Sequence, residues 1–140
     1  MLCMDMRTLA DYFSSFGNPI AGLEMHKLAY LAQAHHLVVH GSPLFEEDMV
    51  AGPQGPIIPE LYELHREQAY FDPVQHPPRV TDDQEDSMSQ IWAHYGDLGD
   101  LQLLDMINED YPLVQARQKD PGTPIDLREL QACYALLWMN

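Results

Sequence analysis

The spacing of hydrophobic positions predicts that most of this chain is helical. Apolar residues recur three and four positions apart in residues 7–16, and residues 23–40 are apolar on most of the helical circumference. The first spacing gathers side chains on one face of a helix, and a helix that is apolar nearly all round belongs at the centre of a core. The sequence therefore predicts an amphipathic first helix followed by a central helix.

Start and stop residues predict the other helices. Pro59 suits the first turn of a helix that reaches about residue 69, and Thr81 is a candidate N-cap for a helix that ends at Gly96. Further helices are expected from about residue 100 to 110 and from about 113 to 119, and a last one begins at Asp126. Three prolines within residues 70–81 predict a connector there.

One segment departs from the helical pattern. Residues 48–51 are compatible with a strand, and the Gly-Pro-Gln-Gly-Pro sequence at 52–56 can only turn. The length of 140 residues suits one domain, since domains usually run roughly 100 to 200 residues. The expected fold is mainly α: a single compact domain over residues 1–140, with six or seven helices and a small strand or hairpin near residues 46–58.

Charge narrows the choice of partners. Seven Lys and Arg residues against 22 Asp and Glu residues give a formal net charge of -15. Such a surface repels nucleic-acid phosphates and anionic lipids, because binding either one depends on cationic side chains. We therefore expect no direct nucleic-acid binding and no membrane binding. The acidity favours a basic protein partner, or serves solubility alone.

Cysteine usage and hydropathy predict a cytoplasmic protein. Cys3 and Cys133 are too few for a disulfide framework, so a reducing compartment is expected. Asp5 and Arg7 interrupt any apolar core of a secretory signal, and no stretch approaches the roughly 20 apolar residues of a membrane span.

Candidate catalytic groups are sparse. His36 and His40 have the four-residue spacing at which two imidazoles share a metal, but Leu37 stands where a metalloprotease helix has Glu. The chain has no Gly-x-Ser-x-Gly elbow and no phosphate-binding glycine loop. We predict that the protein is not an enzyme and uses no metal or cofactor. A metal-dependent enzyme built on the two histidines stays open as an alternative.

Three linked motifs resemble the Panacea antitoxin domain. They are Leu-Ala-Tyr-Leu-Ala-Gln-Ala-His-His-Leu at residues 28–37, Gly-Ser-Pro-Leu-Phe at 41–45 and Gly-Pro-Ile-Ile-Pro-Glu-Leu-Tyr at 55–62. The family has a Lys-Leu-x-Tyr-x-Ala-Gln-type helix, a Gly-x-Pro-Leu-Phe turn and a Gly-Pro-Val-x-Pro-x-Val-Tyr segment in this order. The likeness extends from about Thr8 to Ala132. It departs from the family at residues 50–56, where an aromatic or basic residue often precedes Gly-Pro.

The resemblance implies a mainly helical antitoxin of a bacterium or its phage, which neutralises a cognate toxin by binding it. For some members it also implies delivery of that toxin to a protease. A second interpretation stays open, in which a phage-encoded acidic inhibitor imitates nucleic acid and blocks a host defence enzyme. The apolar residues around Trp138 could also form a partner-binding knob or the seam of a homo-oligomer.

Two groups of residues are predicted to bind the partner. The first group flanks or forms the loop at residues 55–56, and the second is the acidic run at 82–86. An internal polar network is the alternative for the first group, and helix-dipole and solvation effects are the alternative for the second. The predicted partner-binding residues are Lys27, Tyr30, Gln33, Gly55, Pro56, Tyr62, His65, Asp82, Asp83, Glu85 and Asp86.

Overall fold

The computed structural model describes residues 3–139, and within that range it is mainly α, which confirms the predicted fold class. The seven α-helices of the described residues are α1 (Met6–Ser14), α2 (Gly22–His35), α3 (Pro59–His65), α4 (Asp82–Tyr95), α5 (Gly99–Ile107), α6 (Tyr111–Arg117) and α7 (Leu127–Trp138). Four short strands accompany them: β1 (Ile20–Ala21), β2 (Val50–Gly52), β3 (Gly55–Ile57) and β4 (Tyr70–Phe71). None of the helices in the described range is both long and apolar enough to cross a membrane.

Helix α2 lies at the centre of the core, as its apolar circumference predicts. It packs against α3, α4, α5 and α7 and against strand β3. Leu28, Leu31 and their neighbours on α2 are fully buried, because surrounding elements cover every face of this helix. The helix changes at its C-terminal end into a π-helical segment, His36–His40, which stops at Gly41 in the left-handed conformation with φ 77°.

The strands form two small antiparallel pairs. Strands β2 and β3 make the predicted hairpin, with Val50 opposite Ile57 and Gly52 opposite Gly55. The second pair, β1 with β4, sets Ile20 opposite Phe71. The expected connector at residues 70–81 therefore begins with a strand. Two-residue strands carry no periodic pattern, so this pairing depends on tertiary contacts that the sequence does not display.

Two helix boundaries differ from the expected ones. Helix α3 ends at His65 rather than near residue 69, and the residues after it turn toward β4. Helix α6 begins at Tyr111 rather than at 113, with Pro112 in its first turn. Proline is tolerated there because its missing N–H would have no partner inside the helix.

Helix α4 begins with a complete capping box. The Oγ1 atom of Thr81 accepts a hydrogen bond from the backbone N–H of Gln84 at 3.1 Å. The Oε1 atom of Gln84 accepts one from the backbone N–H of Thr81 at 2.9 Å. Two backbone donors at the helix start are thereby satisfied, which fixes where α4 begins and how its acidic first turn is oriented.

We expect Thr81→Ala to lower the free energy of unfolding by about 1 kcal/mol, because it removes the acceptor that caps α4. Gln90→Ala, at an exposed position of the same helix, is the matched control and should change stability by less than about 0.5 kcal/mol. Urea denaturation followed by circular dichroism measures both variants. Equal stability of the two would show that the cap contributes nothing.

Candidate functional site

The central helix carries polar side chains into the core. Each of them reaches a different surrounding segment, so the predicted first group of site residues has to be located contact by contact. The fully buried polar residues of α2 are His26, Lys27, Tyr30 and Gln33.

Lys27 joins α2 to the start of α5 and to the hairpin. Its Nζ atom lies 2.6 Å from Oδ1 of Asp100, and the two side chains are 1% and 28% exposed. Nζ also donates to the carbonyl oxygen of Leu23 at 3.4 Å. The hairpin glycine Gly55, with φ 109°, lies directly over this lysine, and a Cβ added there would be 3.2 Å from Cε of Lys27. A buried ammonium of this kind is tolerated because it has a carboxylate partner.

His26 connects α2 to α3 through a second histidine. Its Nδ1 accepts a hydrogen bond from the backbone N–H of Ile58 at 3.0 Å, so Nδ1 carries no proton. The proton of the neutral ring is therefore on Nε2, which lies 2.9 Å from Nε2 of His65 and donates to it. Burial, with the neighbouring charges of His65 and Lys27, lowers the pKa of His26 from 6.5 to about 3. Burial also lowers the pKa of His65.

Tyr30 is bound to the start of α6. The hydroxyl of Tyr30 donates to Oδ2 of Asp110 at 2.9 Å, and the hydroxyl of Tyr134 donates to the same oxygen at 2.5 Å. Burial raises the pKa of Asp110, and the two hydroxyl donors oppose that rise. One carboxyl group thus holds α2, α6 and α7 together.

Gln33 holds the turn after the π-helical segment. Its Nε2 donates to the carbonyl oxygen of Phe45 at 2.9 Å, and its Oε1 accepts from the backbone N–H of Leu44 at 2.6 Å. The amide thereby substitutes for a strand partner at two buried backbone groups. This contact explains why the Gly-Ser-Pro-Leu-Phe turn follows the helix in a fixed position.

The structure divides the first group of predicted residues between the interior and the surface. Tyr62 is 44% exposed, and it lines an open groove together with His65 and the backbone of Gly22. The other members of the group are buried, on α2, in strand β3 and at the end of α3: Lys27, Tyr30, Gln33, Gly55, Pro56 and His65. In this conformation they can influence a partner only through the segments that they hold.

The acidic start of α4 lies largely at the surface. Asp82, Asp83 and Glu85 are exposed, and Asp86 is half-buried. Asp86 Oδ2 is 2.8 Å from Nε2 of His40, and Asp83 Oδ1 is 3.4 Å from Nδ1 of the same ring. Glu85 accepts a hydrogen bond from the hydroxyl of Tyr12, and burial together with this carboxylate raises the tyrosine's pKa to about 12. Part of the acidic run is therefore bound to neighbouring elements.

The two histidines with four-residue spacing serve different neighbours. The Nδ1 atom of His36 is 2.5 Å from the carbonyl oxygen of Ser42 and donates to it, which holds the turn. His40 faces the carboxylates of α4. The ring centroids are 5.0 Å apart. His36 therefore makes a structural hydrogen bond, and His40 contacts the acidic residues of α4.

An apolar surface on α7 was not among the predicted site residues. Tyr111, Leu136 and Leu137 are 57%, 69% and 63% exposed and line one open cleft between α6 and α7. Glu109, Arg128 and Glu129 belong to the same cleft, which we call the α7 surface. The signal in the sequence is the uninterrupted apolar run at residues 134–139, which packing onto the core explains only in part.

Replacing Lys27 and replacing Asp100 should destabilise the protein by different amounts. Asp100→Ala leaves a buried ammonium whose remaining hydrogen bond is the 3.4 Å contact with the carbonyl oxygen of Leu23, and it should cost about 3 kcal/mol of unfolding free energy. Lys27→Met should cost about 1 kcal/mol, because the remaining carboxylate is partly hydrated and the new side chain fills the space. Denaturant titration measures both values. The reverse order would contradict the assignment of Lys27 as the desolvated partner.

The histidine pair predicts that stability falls in acid. Because folding lowers the pKa of His26, the unfolded chain binds more protons than the folded chain below about pH 6.5. The contribution of the neutral His26 to the free energy of unfolding is therefore fully present above that pH. Below it, the free energy of unfolding declines by about 1.4 kcal/mol per pH unit. Unfolding free energies from about pH 7 to about pH 5 should fall more steeply for the parent protein than for His26→Asn, whose side-chain oxygen can still accept from Ile58. Parallel curves would contradict a neutral, buried His26.

Comparison with known families agrees with the motifs that the structure places around α2. The family model described as Antitoxin SocA-like, Panacea domain matches residues 25–112, from α2 to the first turn of α6. No curated protein and no solved structure gives a significant match to the chain. The matched range covers more than half of the chain and includes both predicted groups of site residues. The chain therefore belongs to the SocA-like Panacea antitoxin domain family.

Proposed function

We propose that this protein neutralises a cognate protein toxin by binding it directly, with the α7 surface as the main contact. The observation that carries the proposal is the exposure of Tyr111, Leu136 and Leu137 beside carboxylates in one cleft. Large exposed apolar side chains next to each other supply affinity when a partner removes them from water. Family membership supports a protein partner and a regulatory role rather than catalysis.

Charge supports a different protein, rather than a second copy of this chain, as the occupant. Two chains with a net charge of -15 each repel one another, and Glu109 and Glu129 line the α7 surface together with Arg128. A toxin with basic residues around an apolar contact would satisfy both features. We therefore propose a basic toxin surface that covers Leu137 and pairs with the surrounding carboxylates.

The acidic start of α4 has a separate part in the proposal. Exposed charges at the edge of an interface speed the encounter of two proteins more than they tighten the final complex. Asp82, Asp83 and Glu85 are exposed and suit such a steering role. Tyr62 and the groove that it lines are the further contact retained from the predicted group. The buried residues of α2 contribute by holding these surfaces in place.

A growth assay and a binding assay test the proposal. The toxin is the protein that is retained by the full chain at about 0.5 M salt and that arrests growth when expressed alone. Leu137→Asp should weaken its binding at least about tenfold, because it places a charge in the apolar contact. Leu101→Asp is the matched control, since Leu101 is an equally apolar residue, 77% exposed on α5. It should leave both binding and growth rescue unchanged.

Isosteric neutralisation separates steering from affinity. The triple change Asp82→Asn, Asp83→Asn and Glu85→Gln should slow association several-fold at low salt and leave dissociation nearly unchanged.

A partner that binds only at low salt and is displaced by DNA would contradict the proposal and favour nucleic-acid mimicry. Equal affinity of Leu137→Asp and the parent chain would remove the α7 surface from the interface. A fall in toxin level on co-expression would indicate delivery to a protease after binding.

A further inference from the structure

Three side chains that can ligate a metal meet at the junction of α2 and α4. One ligand atom from each of His35, His40 and Asp86 lies within 4.8 Å of the other two. Nε2 of His40 is 2.8 Å from Oδ2 of Asp86. All three residues are half-buried, so they are held by their surroundings and still open to solvent on one side.

The π-helical segment produces this arrangement. His35 immediately precedes the segment and His40 is its last residue, five positions later. In an α-helix, residues five apart point about 140° away from each other, so these two rings would diverge. The wider turn of a π-helix, whose hydrogen bonds join residues five apart, brings such positions onto one side. Short π-helical turns are rare and often occur at functional sites.

Neighbouring groups orient the candidate ligands. Nδ1 of His35 is 2.8 Å from Oγ of Ser87, which leaves Nε2 as the donor atom available to a metal. Nδ1 of His40 is 3.4 Å from Oδ1 of Asp83. A carboxylate behind a ligating histidine is a recurrent feature of metal sites, because it fixes the ring and makes the other nitrogen more basic. The surrounding charge is strongly negative, which favours a bound cation.

We propose that His35, His40 and Asp86 bind a divalent transition metal of the zinc class. Two imidazoles and a carboxylate are ligands that zinc takes readily, and three protein ligands leave one position for water. The ion would join the end of α2 to α4 and would offset the negative charge of Asp86 and Asp83. This inference does not depend on the proposed toxin or on the α7 surface. The competing explanation is a simple ion pair between His40 and the two aspartates.

Zinc titration of the full chain tests the site. A tag-free protein that has been treated with chelator is titrated with zinc chloride by calorimetry, and its thermal unfolding is followed with and without the ion. The parent chain should bind one equivalent and unfold at a higher temperature with zinc. His35→Ala, His40→Ala and Asp86→Asn should each abolish stoichiometric binding. Asp83→Asn should lower the affinity by about tenfold, since it changes only the group behind His40.

A matched control and a spectroscopic measurement complete the test. His76→Ala changes an exposed histidine of the connector and should bind zinc like the parent chain. Circular dichroism checks that each variant is folded. If the alanine variants do not fold, Asp86→Asn and the visible absorption of Co²⁺ bound to the parent chain decide the ligand set. Absence of stoichiometric zinc in the parent chain, unchanged binding in the folded ligand variants, or equal loss in His76→Ala would overturn the proposal.

Discussion

The fold depends on matching every polar group that α2 carries into the core with a partner on another element. A buried ammonium or amide without a partner costs several times what an ordinary hydrogen bond contributes, so each of these contacts constrains the segment that supplies the partner. Lys27 fixes the start of α5 through Asp100, and Gln33 fixes the turn at residues 44–45. Tyr30 fixes the start of α6 through Asp110. The apolar residues of α2 make the core stable, and its polar residues specify which segment lies where.

The separation between buried and exposed residues explains which properties family membership determines. The residues of the Lys-Leu-x-Tyr-x-Ala-Gln pattern are Lys27, Tyr30, Gln33 and the apolar residues between them, and all of them are buried. They define the interior of the domain, so matching them identifies a fold and a class of protein. Recognition of a partner requires exposed positions, and this pattern contains none. Proteins that share this interior can therefore differ in what they bind.

Periodicity and capping signals were sufficient to predict the helices, because each of those signals is local. The helical faces of residues 7–16 and 23–40 are visible in the sequence alone, and Thr81 is an N-cap residue directly before an acidic first turn. The pairing of β1 with β4 was not predictable, since it depends on how α3 returns toward α1.

The same limit applies to the candidate sites. The sequence spacing places Lys27 and Tyr62 near one loop. Whether each side chain is buried or exposed depends on the packing of α3, α5 and the hairpin. His35 and His40 look divergent in sequence because only a π-helical turn brings them together.

The positions of the cationic side chains leave the protein surface strongly negative. Of the seven Lys and Arg residues, Lys27 is buried against Asp100, and Arg117 donates to the backbone oxygens of Asn108 and Gly52. These two cations serve the interior and the hairpin, so five cations remain against the 21 acidic residues other than Asp100, most of which lie at the surface. Folding thus concentrates negative charge on the outside, and the resulting repulsion opposes the compact state. A basic partner or a bound cation relieves that repulsion. Binding of a cationic group at this surface would therefore also stabilise the fold.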